Sequence, residues 1–253
     1  MLRVFLRSAF VLATLLIAHT PAAADTGNDH VLKFNVSPAG YPPYIIVDDK
    51  QVSGIVWDVI TSVCERLDYR VEPHMIPRKR VDRMLLEGYI DATARAREWT
   101  AHPEHFVFSA PIVRVREVFF TVDGAPFDYQ VPADLQGMTV LTHLGYRYPY
   151  LKEMFESGRA QRFDVPKDRD IFSYLLYGED RFDVAIADEL VGHWLIRENG
   201  WKGRFNTSVN ALTDFGLRLM VRPGIAGFAD DFDRELEALR ASGELDRIIT
   251  SYR

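Results

Sequence analysis

Arg95, Arg97 and Asp188 are the side chains whose types and positions say most about chemistry. Each follows a short apolar run entered through an aspartate: Asp91-Ala92-Thr93-Ala94 leads to the arginines, and Asp183-Val184-Ala185-Ile186-Ala187 leads to Asp188. An arginine fork donates two parallel hydrogen bonds to a carboxylate, and a carboxylate accepts charge-assisted bonds from a cationic group. In α/β sheets, ligands bind beyond the carboxyl ends of the strands. Opposite charges are therefore expected to face one cleft. Each residue also has a plainer use. The arginines can be solvated or pair with Glu98 and Glu104, and Asp188 is a favoured N-cap for a helix starting Glu189-Leu190-Val191-Gly192. For Asp188 the two uses are compatible.

The elements that position these ends repeat. Met84-Leu85-Leu86-Glu87-Gly88 and Tyr174-Leu175-Leu176-Tyr177-Gly178 lie about 90 residues apart, each just before its aspartate-led strand. Both read as a helix end, a glycine stop in the left-handed conformation, and a strand covered on both faces. A helix-to-strand unit that recurs once points to two similar α/β lobes.

Residues 1–24 read as a processing signal. Arg3 and Arg7 flank a basic start, the apolar run Ala9 to Ala18 follows, and Pro21-Ala22-Ala23-Ala24 supplies small residues for cleavage. The run is short of the roughly 20 apolar residues a membrane span needs. The mature chain is expected to begin at Asp25, to be exported to the periplasm, and to lack a lipid anchor, because no cysteine stands directly after the cut site. Loss of the two arginines takes the formal charge from -6 to -8. An acidic chain without a basic block has no general attraction for nucleic acid or anionic membrane. Cys64, the single cysteine, reads as a buried core thiol, so an exported chain without disulfides must rely on its apolar core.

Along the first half the pattern is β, α, β, α, β. Val31 to Val36 alternates as a strand, Gly54-Ile55-Val56-Trp57-Asp58 opens a helix ending near Leu67, Tyr69 to Met75 is a strand, and Val81 to Glu87 is a helix. This order favours a parallel open sheet. Glu117 to Val122 is a candidate crossing between lobes, and Gly216 to Val221 a candidate return. Between them Met138 to Leu141, a helix starting at Gly145, Arg162 to Val165, Asp170 to Leu176 and Asp183 to Ala187 retell the order of the first lobe. The tail from Phe228 is amphipathic and is broken into two helices at Ser242-Gly243.

Taken in order, these pieces form a pattern: Tyr41-Pro42-Pro43-Tyr44; Gly54 to Asp58; Leu86-Glu87-Gly88-Tyr89-Ile90-Asp91-Ala92; Phe108-Ser109-Ala110-Pro111; Asp134 to Val140 with Gly145 beyond; Phe182 to Asp188; and Ala241 to Ile248. The set resembles the periplasmic solute-binding proteins of the polar amino-acid type, family 3, the receptors of bacterial ABC importers. The resemblance implies an α/β fold, the periplasmic-binding-protein type II clamshell, with two lobes joined by two hinge strands. Residues 25–118 would form the first part of lobe one, 119–213 lobe two, and 214–253 the segment completing lobe one. It further implies a non-enzymatic monomer that captures a small polar solute, an amino acid or related carboxylate, and docks on a membrane permease or a sensor. Two alternatives stand beside it: a dehydratase-like enzyme using Glu98, Asp188 and His102 as acid and base, and a sensory module without transport.

In the family the resemblance names, the carboxylate-binding arginine lies six residues before the Phe of the Phe-Ser pair. Here that position is His102, in a loop one residue shorter, so Arg95 or Arg97 is expected to substitute, with Arg97 preferred. Asp188 takes the place of the ammonium-binding carboxylate. Gly145-Tyr146-Arg147 is expected to open a helix whose free N–H groups favour an anion, although an ordinary helix start explains the pattern equally well. Tyr41 and Tyr44 stack on the solute or merely stiffen their loop, Trp57 or Trp99 adds to the same wall, and Asp58 caps its helix. The candidate ligand set is thus Tyr41, Tyr44, Trp57, Arg95, Arg97, Gly145, Tyr146, Arg147 and Asp188. No cofactor or metal is expected, since His74, His102, His105, His143 and His193 lack metal-ligand spacing.

Overall fold

The computed structural model describes residues 30–49, 51–178 and 181–253. The leader read at residues 1–24 lies outside them. In chain order the first lobe holds β1 (His30–Val36), the hairpin β2 (Ile46–Asp48) and β3 (Gln51–Ser53), α1 (Ile55–Arg66), β4 (Tyr69–Met75), α2 (Arg78–Leu86) and β5 (Ala92–Ala96). The long strand β6 (Val107–Val122) leads out of it. The second lobe holds β7 (Thr139–His143), α3 (Lys152–Glu156), β8 (Gln161–Val165), α4 (Asp168–Tyr177), β9 (Val184–Asp188) and α5 (Glu189–Glu198). A second long strand, β10 (Phe205–Val221), returns to the first lobe, which α6 (Ala226–Ala241) and α7 (Glu244–Ser251) complete. The crossing expected at Glu117 to Val122 begins ten residues earlier, and Phe108-Ser109-Ala110-Pro111 lies inside it. The return strand likewise begins well before Gly216.

Eight strands form one sheet in the order β4-β1-β5-β10-β6-β9-β7-β8. The trios β4-β1-β5 and β9-β7-β8 are each parallel inside, and the antiparallel ribbon β10-β6 joins them. β10 is antiparallel to both β5 and β6, so β5 and β6 run the same way, toward lobe two; β9 is antiparallel to β6 and runs toward lobe one. The carboxyl ends of the two trios therefore point at each other. This opposition creates the interlobe cleft, where ligands of open α/β sheets bind.

Both faces of each lobe are covered, as buried parallel strands require. In lobe one Phe34, Ile60, Leu219, Phe232 and Leu236 pack on one face, and Val81, Leu85, Ile90 and Met220 on the other. In lobe two Phe120, Leu141, Phe172 and Ala185 oppose Phe119, Leu151, Met154 and Ile186. Val191 of α5 reaches into the lobe-one cluster, so α5 spans the gap between lobes.

The repeated aspartates act alike at atomic detail. Asp91 Oδ2 accepts from the Lys33 amide at 2.9 Å while the Asp91 amide donates to the Lys33 carbonyl at 2.8 Å. Asp183 Oδ2 accepts from the Thr139 amide at 2.7 Å, and its own amide donates to the Thr139 carbonyl at 3.0 Å. Each aspartate thus clamps the entry of its strand to the neighbouring strand of the same lobe. The glycines before them differ. Gly88 is left-handed at φ 76°, as expected, whereas Gly178 is not, at φ −81°. Gly178 answers to crowding instead: a Cβ there would lie 2.4 Å from the Tyr174 carbonyl oxygen and 2.7 Å from the Phe182 ring.

Candidate functional site

Tyr44 and Asp188 meet across the cleft. Tyr44 follows β1 in lobe one, and its hydroxyl donates to the Asp188 carboxylate, 2.9 Å from Oδ1 and 3.0 Å from Oδ2. The loop that presents it is held by backbone. The Tyr41 amide donates to the Ile45 carbonyl at 2.7 Å, and the Pro43 and Tyr44 carbonyls accept from Ile55 and Val56, both at 2.9 Å. Those two carbonyls take the place of a side-chain cap on α1, whose N-cap is Gly54. Gly54 sits at φ 113°, and a Cβ there would lie 2.7 Å from the Tyr44 carbonyl oxygen, so only glycine allows this approach. Tyr41 stacks on Tyr44 with ring centroids 5.2 Å apart.

Asp188 ends β9 and caps α5, accepting from the Val191 amide at 2.9 Å. Burial pushes its carboxyl up to about 7, and the charge of Glu117, its register partner on β6, adds to the rise; the bonds from Val191 and Tyr44 oppose it. Burial also raises Glu117, which accepts from the Thr213 hydroxyl at 2.7 Å. The Tyr41 and Tyr44 phenols lie well above their ordinary range, first from burial and then from the Asp188 charge.

Lobe two adds a ring of polar groups. Tyr146 packs against His143 at 4.2 Å between centroids, and His143 Nε2 lies 4.0 Å from Asp168 Oδ1 at the start of α4. Burial and then Asp168 push the Tyr146 phenol up to about 12, while the charge of Arg78, from lobe one, opposes the rise. Burial raises Asp168, with His143 working against it.

Of the expected site residues, Tyr41, Tyr44 and Asp188 come together through the ring stack and the cross-cleft hydrogen bond, and Tyr146 adds to the rise of the Tyr41 phenol. Arg95 is buried and pairs with Asp82 of α2, not with Glu98 or Glu104. Arg97 is exposed and lies over the Phe108 ring at 5.4 Å. Trp57 is half-buried against the lobe-one core, with Phe34 at 6.2 Å. Gly145 and Arg147 are exposed, and the helix expected from Gly145 does not begin there. The Tyr146 amide closes a turn onto the His143 carbonyl, and helical structure starts at Pro149 with one 3-10 turn before the five-residue α3. The chain in between is held instead by Arg162, which donates to the Tyr146 carbonyl at 3.0 Å, and by the Tyr148 hydroxyl, which accepts from the His143 amide at 3.3 Å. Asp58 is not a cap either; it accepts from the Tyr252 hydroxyl at 2.6 Å and ties the chain end to α1. His102 is an exposed partner of Glu104.

Sequence reasoning passed over Arg78, Asp168, His143 and Glu117. The usable signal for Arg78 was the run Arg78-Lys79-Arg80 at a helix start, where the dipole disfavours cations. Among the described residues no group of three or more His, Cys, Asp or Glu side chains is placed to hold a metal ion. No helix among them is long and apolar enough to cross a membrane.

The profile described as bacterial extracellular solute-binding proteins, family 3, matches residues 34–253. The chain belongs to this family. Comparison with curated proteins returned no match. Among solved structures, the L-cystine solute receptor of Neisseria gonorrhoeae in its unliganded open conformation superposes with a TM-score of 0.70 at 19% identity, over 89% of this chain and 93% of that one. An arginine transport-system periplasmic binding protein from Legionella pneumophila gives 0.66 at 16% identity, over 89% and 100%. A histidine kinase sensor domain with similarity to periplasmic binding proteins gives 0.67 at 21% identity, over 89% and 97%. At these identities the structures establish the shared type II clamshell fold, while the profile match makes the chain a family 3 solute-binding protein.

Proposed function

We propose that this family 3 protein is a periplasmic receptor that binds a small amino-bearing solute, an amino acid or related carboxylate, between its lobes for an ABC importer. The observation that carries the reading is the buried Asp188 carboxylate, set at the end of β9 and bonded to Tyr44 of the opposite lobe. A carboxylate offers about four acceptor positions, and one hydroxyl with the Val191 and Arg116 amides still leaves one for an ammonium. A solute that touches Asp188 and the Tyr41–Tyr44 stack contacts both lobes, so its differential affinity drives closure. Solved neighbours that bind arginine or L-cystine support an amino-acid cargo.

Calorimetry with L-amino acids and dicarboxylates, on protein refolded from denaturant, tests this. Binding of one member, weakened at least tenfold by Asp188→Ala, is the expected result. Binding by none removes the amino-acid reading. The sensor-domain neighbour favours a second reading, in which the closed form docks on a signalling partner. Solute-dependent stimulation of a reconstituted permease ATPase separates transport from sensing. Recovery of the bound solute chemically unchanged, by mass spectrometry, separates binding from turnover.

A further inference from the structure

The first turn of α2 breaks a local rule. It begins Arg78-Lys79-Arg80 with no acidic residue in that turn and no side-chain cap. Cations at a helix N-terminus oppose the macrodipole. Among the described residues, the salt bridges that α2 makes, Arg83 with Glu87 and Asp82 with Arg95, leave these three out. Such an arrangement is relieved by an anion.

Topology puts this turn in the cleft. Arg78 follows the carboxyl end of β4, and Trp99 follows the carboxyl end of β5, the edge that also carries Tyr41 and Tyr44 after β1. The Arg78 guanidinium lies over the Trp99 ring, 5.9 Å from its centroid, which orients the fork without neutralising it. Its charge acts on Tyr146 of the opposite lobe. Of the cations expected for this role, Arg95 is buried against Asp82 and His102 sits beside Glu104, while Arg97, over Phe108, and the exposed Arg147 make no salt bridge among the described residues; Arg78 differs from these two in acting on Tyr146 from the opposite lobe.

We propose that Arg78, stacked on Trp99, receives the carboxylate of the bound solute, taking the role expected of Arg95 or Arg97. The inference rests on the solute-binding reading above and narrows its cargo. The solute is a zwitterion whose carboxylate points to the start of α2 while its ammonium points to Asp188. An arginine fork suits this task because a planar carboxylate meets it with two parallel bonds.

Two experiments test it. In the first, acetate, the smallest carboxylate after formate, is titrated into protein carrying 15N-arginine, with the Arg78 Nε–Hε resonance assigned by its loss in Arg78→Lys. A saturable shift of that resonance is expected. A saturable shift at Arg97 instead, or none at any arginine, overturns the proposal. In the second, calorimetry compares L-arginine, L-glutamate and L-cystine with the decarboxylated amine of each. Arg78→Ala is expected to weaken a bound amino acid about 10- to 100-fold and its amine by less than about threefold, while His102→Ala changes neither. Equal losses for acid and amine mark a structural role and overturn the proposal. Failure of the wild type to bind any amino acid counts against the cargo assignment above, and the acetate titration still decides Arg78.

Discussion

Asp188 makes the stability of this protein fall as pH rises, and Asp188→Asn should remove most of that fall. Burial raises the carboxyl from 3.8 to about 7. Between those values the folded state holds a proton that the unfolded state has released, so stability is fully present below about 4 and is lost as pH rises through 7. At 1.36 kcal/mol per unit the full effect is about 4 kcal/mol, of which roughly 2 to 3 kcal/mol falls between pH 5 and pH 8. For a chain of this size that corresponds to a drop of about 5–10 °C in melting temperature. Glu117 shifts in the same direction, whereas burial lowers His193, so that group contributes stability that grows as pH rises. The informative quantity is therefore the difference between wild type and variant. An asparagine side chain keeps an acceptor for Tyr44 and remains a good helix cap, so the substitution removes the charge while sparing the contacts. Urea denaturation of refolded protein at pH 5, 6, 7 and 8 gives the measurement. Parallel pH slopes for wild type and Asp188→Asn would refute the reasoning.

Tyr44→Phe removes the hydroxyl that donates across the cleft to a buried carboxylate, and is expected to cost about 1–3 kcal/mol in urea denaturation at pH 8 and less at pH 5. Gly88→Ala should cost about 1 kcal/mol through its positive φ, and Gly178→Ala about 1–3 kcal/mol through the clash with Tyr174 and Phe182, read from the same denaturation curves. Cys64 is buried with its thiol pushed up to about 12, so a thiol reagent at pH 8 should label it only at the rate of unfolding; fast labelling of native protein would contradict its placement.

Much of the scaffold was legible because its signals are local. The aspartate-led apolar runs give β5 and β9, both buried on two faces, and Gly243 breaks the tail at φ 72°. The long strands were under-read, since Phe108 to Pro111 and the polar stretch from Asn206 to Asn210 carry weak strand patterns and contain register breaks of the β6–β10 ribbon, so the strands continue only through the pairing on either side. Gly178 shows another limit. It resembles Gly88 in sequence but is required by crowding from the Tyr174 carbonyl and the Phe182 ring rather than by a positive φ. The helix expected at Gly145 failed because the Tyr148 hydroxyl and the more distant Arg162 hold that backbone in a turn.

By itself the sequence determined the two-lobed α/β plan, the membership of both aspartate-led strands in a buried parallel sheet, and the place of Asp188 at a strand end as the cap of the next helix. These follow from periodicity, glycine placement and capping, which act over a few residues. Tertiary structure decided which cations stay available. Asp82 neutralises Arg95, whereas Arg78 over Trp99 and Arg97 over Phe108 have no carboxylate partner among the described residues, because charges are assigned by neighbours from other elements. It also decided that Tyr44 reaches Asp188, a contact spanning 144 residues that exists only because opposed strand directions bring two sheet edges face to face.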